Sequence, residues 1–173
     1  MEPIRRPAVK RTTLQEGMTD MPARKKSIAP EHASVSVFSR QLEFPMLEEL
    51  DILNVTDEVS RVVQESALLD GTVTVFVPGA TGIVTCLEYE PGVIADFKAA
   101  IERIAPRDIP YDHNLFQADG NGHSHVRAGF VGPSLAIPFI GGELMLGVWQ
   151  KVVLVNCDNR RRTRKLVVQV VGS

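Results

Sequence analysis

Short runs of β-branched and aliphatic residues, each closed by a glycine, proline or Asp-Asn turn, restrict the fold of this chain most strongly. Runs of this composition and length are typical of strands. They occupy residues 71–77, 83–87, 135–140, 144–146, 148–156 and 166–171. The Gly141-Gly142 and Asp158-Asn159 pairs favour tight turns between the later runs. The last third of the chain is therefore expected to form an antiparallel meander.

Three segments have the pattern of helices. Thr56 precedes apolar residues spaced at i, i+3, i+4 and i+8 and is expected to cap a first helix. Glu90-Pro91-Gly92 begins a second helix that ends before Pro106. A third is expected from about Ser124 to Val131, because Gly132-Pro133 follows it. The fold class is α+β: a single domain with mixed or antiparallel sheets, sandwich-like, and two to three helices.

Composition limits the class of protein. The 173 residues are 44% hydrophobic, which is enough for one domain with a sizeable core. A net charge of −2 gives no general attraction to nucleic acid, which is an unlikely partner. The chain has no apolar run of about 18 residues and no signal-peptide pattern. A cytoplasmic protein without a membrane partner is expected.

Residues 1–32 differ from the rest of the chain. They combine several lysines and arginines with four prolines and have no hydrophobic period. This composition predicts a disordered N-terminal extension before a folded domain at 33–173. A nucleic-acid-binding arm or an organelle-targeting peptide is an alternative, although acidic residues dilute the positive charge of the segment. Cys86 and Cys157 lie in apolar runs and are interpreted as small core residues.

The segment Asp119–Arg127 is the richest in groups that bind ligands or transfer protons. It contains Asn121, Gly122, His123, His125 and Arg127. Packing alone has little use for such groups, because they are costly to bury unpaired. On the helical interpretation, Asn121 lies one turn from His125, and His123 lies one turn from Arg127. The N–H groups of the first turn would then suit a phosphate.

The two histidines leave three interpretations open. His123 and His125 are proton carriers, because a free imidazole titrates near neutral pH, or they are metal ligands, or they are hydrogen-bonded structural residues. A metal site would need further ligands, for which Asp119, His113 and Glu88 are available. The sequence contains no motif that fixes them, so Mg²⁺ or another divalent metal is only a possible cofactor.

Other candidate groups lie at the ends of predicted strands. Glu88 ends an apolar strand, where a scaffold can present a catalytic carboxylate, although it could instead favour a helix N-terminus. Gln150 follows Trp149 and could line a pocket. Thr81 lies in the turn Pro78–Gly82, which is either an approach to a ligand or an ordinary connection. The basic residues at 160–165 form either a solvated edge or a phosphate site.

Together these motifs resemble the secondary thiamine-phosphate synthase (YjbQ-like) family over roughly residues 34–172. The resemblance rests on Gly71-Thr-Val-Thr-Val-Phe-Val-Pro78, Glu88-Tyr-Glu-Pro-Gly92 with Asp96, Gly120-Asn-Gly-His-Ser-His-Val-Arg-Ala128, Gly132-Pro-Ser134, Gly147-Val-Trp-Gln150 and Val167-Val-Gln-Val170. Many members have Pro-His-Thr-Thr-Ala where this chain has Pro78-Gly79-Ala80-Thr81-Gly82, so a family histidine is replaced by Gly79.

The resemblance implies a small trimeric α+β protein and a reaction. That reaction joins a pyrimidine pyrophosphate to a thiazole phosphate and releases pyrophosphate. It would use His123, His125 and Glu88 as catalytic residues. The substrate would contact Asn121, Arg127, Gln150, Thr81 and Gly122. The alternatives are a non-catalytic binder of a phosphorylated metabolite and a metal-dependent hydrolase that uses His123 and His125.

Overall fold

The structure, a computed structural model, describes residues 34–173. The chain forms eight strands and four helices within this range. In order they are β1 (Ser36–Met46), β2 (Asp51–Asn54), α1 (Thr56–Ser66), β3 (Gly71–Phe76), β4 (Gly82–Glu88), α2 (Pro91–Ile104), α3 (His113–Phe116), α4 (Gly122–Val131), β5 (Ser134–Ile140), β6 (Glu143–Leu144), β7 (Gln150–Asn156) and β8 (Arg162–Gly172).

The strands form two antiparallel sheets. One has five strands in the order β1-β8-β3-β5-β6, and the other has three in the order β2-β7-β4. A valine-rich core lies between the sheets, and α1 packs against strands of both. The predicted α+β fold with antiparallel sheets is confirmed.

The three-stranded sheet is buried on both faces. Val152 and Leu154 of β7 face the core between the sheets, whereas Val153 and Val155 face a second cluster. That second cluster includes residues of α2 and α4, which cover the outer face of this sheet. Burial on both faces explains the continuous apolar run of β7. It also fixes α4, and with it the polar segment of the sequence, against β4.

The helix boundaries follow local chemistry. Glu90 caps α2 because its carboxylate accepts from the backbone N–H groups of Gly92, at 2.8 Å, and Val93. The prediction that Thr56 caps α1 is wrong, since the N-cap is Val55 and makes no side-chain cap. Thr56 Oγ1 instead donates to Asn54 Oδ1 at 2.6 Å and accepts from Val152 N at 2.9 Å. This hydroxyl joins the start of α1 to β7.

Three further expectations require correction. The C-terminal third is not a meander, because β7 and β8 belong to different sheets despite the short turn between them. Residues 148 and 149 precede β7, and β6 is only two residues long. The described residues contain four helices rather than two to three, because the four-residue α3 is too short to show a hydrophobic period.

The structure also bears on the remaining general expectations. The predicted extension at residues 1–32 lies outside the described residues and stays a prediction. Within residues 34–173, no helix has the length and apolarity needed to cross a membrane. Cys86 and Cys157 are both free thiols, as expected for core cysteines, and burial raises the pKa of Cys157 to about 12.

Candidate functional site

The two faces of α4 carry different chemistry. The helix begins at Gly122, after the N-cap Asn121, so His123 and His125 both lie within it. Residues two apart on a helix point in nearly opposite directions. His123 is only 2% exposed and faces the interior, whereas His125 is half-buried and faces a cleft. The two histidines therefore do not face one common metal ion.

The inner face of α4 belongs to a buried ionic network. Glu49 Oε1 lies 2.9 Å from His123 Nε2 and accepts from Arg127 Nη1 at 2.7 Å. Arg127 also donates from Nη2 to Glu102 and from Nε to the carbonyl of Ala105 at 2.9 Å. The Arg127 side chain has no exposed surface. Its guanidinium group is thus engaged inside the protein and is not free to bind a phosphate, contrary to the sequence interpretation.

On the outer side of α4, His125 contacts His113 of α3. Their ring centroids are 4.4 Å apart and the planes are tilted by 43°. His113 Nε2 lies 3.6 Å from Asp119 Oδ1. With the Asn121 amide assigned from its hydrogen-bond partners, its nitrogen donates to His113 Nε2 at 3.3 Å and to Asp119 Oδ1 at 3.0 Å. Asn121 therefore positions the histidine and the carboxylate relative to each other.

The surroundings of His125 favour its neutral form, because they lower its pKa. Burial lowers its pKa first, the neighbouring His113 lowers it further, and Asp119 and Asp158 act in the opposite direction. A neutral imidazole at physiological pH can accept a proton or a hydrogen bond from a ligand. The cleft thus contains a base that does not need to be deprotonated before it acts.

The lowered pKa predicts a pH effect on stability. An unfolded histidine binds protons below a pKa of about 6.5, whereas folded His125 binds them only at lower pH. The unfolded state then gains protons first, so the free energy of unfolding should fall as the pH is lowered through about 6.5. Urea unfolding at pH 7.5 and 5.5 should show a smaller loss in His125→Gln than in the wild type. Equal losses in the two proteins would contradict the burial of a neutral His125.

A cleft of about 220 Å³ lies between α4 and the turn that joins β3 to β4. Small side chains and glycines form most of its wall, with His125 as the polar group. The turn supplies Gly79, Ala80 and Gly82, and the helix side supplies His125, Ala128, Gly129 and Pro133. These small residues leave room for a ligand of about the size of one ring beside the His125 imidazole.

Thr81 lies in the same turn, but its hydroxyl group is engaged inside the protein. It is 6% exposed, donates to Asp158 Oδ2 at 3.2 Å and accepts from Arg164 Nη2 at 2.7 Å. Thr81 therefore positions Asp158 and Arg164 in this structure, and its hydroxyl does not point freely into the cleft.

Glu88 and Gln150 lie far from this cleft within one chain. They pair with each other across β4 and β7, whereas the cleft lies at the Gly82 end of β4. The six residue-to-residue steps from Gly82 to Glu88 span about 20 Å of extended strand. Gln150 Oε1 accepts from Gly147 N at 2.7 Å, which closes the turn before β7. The structure places Asn121 and His125 in one region. Glu88 and Gln150 are neighbours of each other but lie outside that region.

Gly122 is required by packing. Its N–H donates to Asn114 Oδ1 at 3.0 Å and is not free for a phosphate. A Cβ at this position would lie 2.5 Å from Tyr111 Cβ, whereas one at Gly129 of the same helix would meet no atom within 4 Å.

We expect Gly122→Ala to lower the free energy of unfolding by about 1–3 kcal/mol. Gly129→Ala should leave it unchanged or raise it by up to about 1 kcal/mol. Denaturant unfolding of the two variants would check this, and equal effects would contradict it.

Some residues of the site were not found from the sequence. His113 was only an available metal ligand there, and its contact with His125 depends on the short helix α3. Glu49 lies in a loop without any motif, where Leu50 has the left-handed backbone conformation (φ 54°). The turn after β7 also reaches the site, since Asn159 Nδ2 and Arg160 Nη2 donate to the Asp119 carbonyl at 3.1 and 3.4 Å. No signal in the sequence joins these three segments.

A comparison with protein families shows to which family the chain is related. Residues 40–173 match the family described as UPF0047 protein YjbQ-like. The chain belongs to the YjbQ/UPF0047 family. A UPF0047 protein of Methanothermobacter thermautotrophicus is 30% identical over 80% of this chain and 94% of its own length. One of Mycobacterium bovis is 39% identical over 66% of this chain and 88% of its own length.

Solved structures of YjbQ-like proteins have the same fold. The YbjQ-like protein of unknown function from Sulfolobus solfataricus superimposes with a TM-score of 0.77 at 27% identity, covering 81% of this chain and all of that chain. A hypothetical protein from Aeropyrum pernix gives 0.73 at 29% identity, covering 79% and 99% of the two chains. The names of these relatives assign no activity, so the function of this YjbQ-like chain has to be argued from its own residues.

Proposed function

We propose that the cleft between α4 and the β3–β4 turn binds a phosphorylated heteroaromatic metabolite. We further propose that the protein catalyses the thiamine-phosphate synthase reaction, with His113 and His125 as proton-carrying residues. The observation that supports this most strongly is the contact between these two imidazole rings, 4.4 Å apart, beside a cleft lined by His125. Paired titratable groups next to a cavity are common in active sites.

The volume of the cleft supports a ligand with a single ring. Its volume of about 220 Å³ is below the roughly 300–1,000 Å³ of typical small-molecule sites. One aromatic ring with a short substituent fits such a space, and a second substrate would have to lie at its mouth. Three polar residues lie next to His125 or next to the loop before α4, namely His113, Asp119 and Arg160. A charged leaving group would meet these residues there.

The charges around the two rings support different roles for them. His125 is neutral because burial lowers its pKa, so it would orient a ligand or accept a proton. His113 lies beside the Asp119 carboxylate, with Nε2 3.6 Å from Oδ1, and its side chain is partly exposed. In the proposed reaction the bond between the pyrimidine methylene and the pyrophosphate oxygen breaks, and the thiazole nitrogen bonds to that carbon. The pyrophosphate leaves with the electron pair and takes a proton from His113.

Divalent metal ions have a limited place in this proposal. A magnesium ion would supply charge neutralisation of the pyrophosphate. The Asp119 carboxylate is the oxygen ligand that this part of the site offers to it. Among residues 34–173, no cluster of three or more histidine, cysteine, aspartate or glutamate side chains has the arrangement of a metal site. A hydrolase with zinc between His123 and His125 has no support in this geometry, because the two rings lie on opposite sides of α4.

The test is a direct assay. The purified protein is incubated with the pyrimidine pyrophosphate, the thiazole phosphate and Mg²⁺, and thiamine phosphate and pyrophosphate are quantified. Equal amounts of both products, formed at a rate proportional to protein concentration, would support the proposal. Saturable binding of the thiazole phosphate without turnover would instead make the protein a binder of phosphorylated metabolites. Absence of both binding and turnover would overturn the proposal.

We also propose that the chain forms a homotrimer, as the resemblance implies. Large apolar side chains with more than 60% exposure support an assembly, because such groups are rarely left in contact with water together. They include Leu115, Phe116, Phe130, Val148 and Trp149. Light scattering at micromolar concentration should give three times the chain mass of 19.0 kDa. A monomer under these conditions would contradict the prediction.

A further inference from the structure

Arg164 is a buried cation beneath the turn that forms the cleft wall. It lies on β8 and is only 7% exposed. Its Nε donates to Asn156 Oδ1 at 3.1 Å, and its Nη2 donates to the carbonyl of Thr81 at 2.8 Å. Among the described residues these two nitrogens make all of its hydrogen bonds, and Nη1 has no partner.

The unpartnered nitrogen points toward Gly79. A Cβ built on Gly79 would lie 3.6 Å from Arg164 Nη1 and would meet no other atom within 4 Å. Gly79 has a φ of +118°, a conformation that favours glycine, and it forms part of the cleft wall. Because Gly79 has no side chain, this residue of the cleft wall is separated from Nη1 only by the space that a Cβ would occupy. Any larger residue at this position would fill that space.

The charges around Arg164 are unbalanced. Asp158 is the carboxylate whose charge stabilises the Arg164 cation. However, Asp158 Oδ2 already accepts from Arg162 Nε at 2.8 Å and lies 2.7 Å from Arg162 Nη2. Arg164 itself makes no direct ion pair with a described residue, since the close partners of Asp158 Oδ2 are Arg162 and Thr81. Because a buried charge is costly unless it is paired, a bound anion would stabilise this arrangement.

We propose that Arg164 Nη1, reached through the gap at Gly79, is an anion-binding subsite at the base of the cleft that takes a phosphate group of the ligand. Arginine binds phosphate oxygens through strong charge-assisted hydrogen bonds. The hydrogen bonds to Asn156 and Thr81 hold the guanidinium in place before a ligand arrives. Such preorganisation lowers the entropy cost of binding.

This inference deepens the proposed function and rests on it for the identity of the ligand. The subsite itself does not depend on the reaction, since inorganic phosphate is a sufficient probe for it. A protein that fails to make thiamine phosphate but binds phosphate through Arg164 would keep the subsite and lose the reaction. Turnover together with phosphate binding that does not depend on Arg164 would keep the reaction and rule out the subsite.

The experiment measures phosphate binding to the full chain by calorimetry and by thermal unfolding, with potassium chloride at matched ionic strength as the reference. Phosphate should raise the melting temperature of the wild type. Arg164→Gln should weaken phosphate binding by about tenfold or more, the effect expected for a lost hydrogen bond to a charged group. Circular dichroism checks that this buried variant is folded.

A second pair of variants keeps Arg164 intact. Ala80 is exposed on the cleft wall next to Gly79. Ala80→Asp adds a negative charge that should repel phosphate, and Ala80→Asn is the neutral control of the same size, which should retain binding. If Arg164→Gln does not fold, this pair decides the result. Phosphate binding that survives both Arg164→Gln and Ala80→Asp, or that is lost only in Arg160→Gln, would overturn the subsite.

Discussion

Replacing Arg127 with alanine should lower the free energy of unfolding by about 3–5 kcal/mol, the cost of removing one partner from a buried ion pair. The guanidinium has no exposed surface and donates to Glu49, Glu102 and the carbonyl of Ala105. Its loss removes hydrogen bonds from the inner face of α4. The negative charge of the Glu49 carboxylate then has one positively charged partner fewer. Urea unfolding of wild type and Arg127→Ala would give the difference.

Arg107 is the matched control. It also pairs with Glu49, with Nη1 at 3.1 Å from Oε2, but its side chain is 59% exposed. An exposed pair contributes about 0–1 kcal/mol, so Arg107→Ala should change the free energy of unfolding by no more than that. If Arg127→Ala instead kept its stability and lost phosphate binding, Arg127 would be a ligand-binding residue and the buried-network interpretation would be wrong.

Replacing His113 or His125 with glutamine should lower the rate of thiamine-phosphate formation by about 10²–10⁴-fold, the usual effect of losing a positioned proton-transfer group. Their rings lie 4.4 Å apart, and one borders the cleft while the other faces Asp119. Stability should change by less than about 2 kcal/mol, because neither side chain is part of the apolar core. Steady-state assays and urea unfolding of the same samples would measure both quantities.

Gln64→Ala serves as the control for this experiment. Gln64 lies on α1, which does not line the cleft, and its side chain is exposed. Its removal should leave the catalytic rate within about threefold of the wild type, in the range of a surface substitution. A loss of more than about 2 kcal/mol of stability in His125→Gln, with activity and binding intact, would make His125 a structural residue.

The elements that the sequence predicts well are those with strong local signals. Pro91 and Gly132-Pro133 mark the limits of α2 and α4, and the β-branched runs mark β3, β4 and β5. The assignment of β7 and β8 to different sheets depends instead on contacts that are distant in sequence. Arg164 of β8 bonds to Thr81, which precedes β4, and a short turn alone cannot reveal such a contact.

The candidate site was predicted only in part, and the reason is the direction of side chains on α4. The polar segment lies next to the cleft, but its residues separate onto two faces of the helix. His123 and Arg127 turn inward to Glu49, and His125 turns outward to His113. The sequence interpretation treated these residues as one set, because their shared polarity gives no information about their partners. Glu49 and His113 come from loops and short elements, where periodicity carries no signal.

A crystal structure of the protein soaked with the thiazole phosphate tests the central claim most directly. The expected result is electron density for the ring between Gly79 and His125, with its phosphate within hydrogen-bonding distance of Arg164 Nη1. Density at the other end of β4, beside Glu88 and Gln150, with an empty cleft at His125, would contradict the assignment of the site.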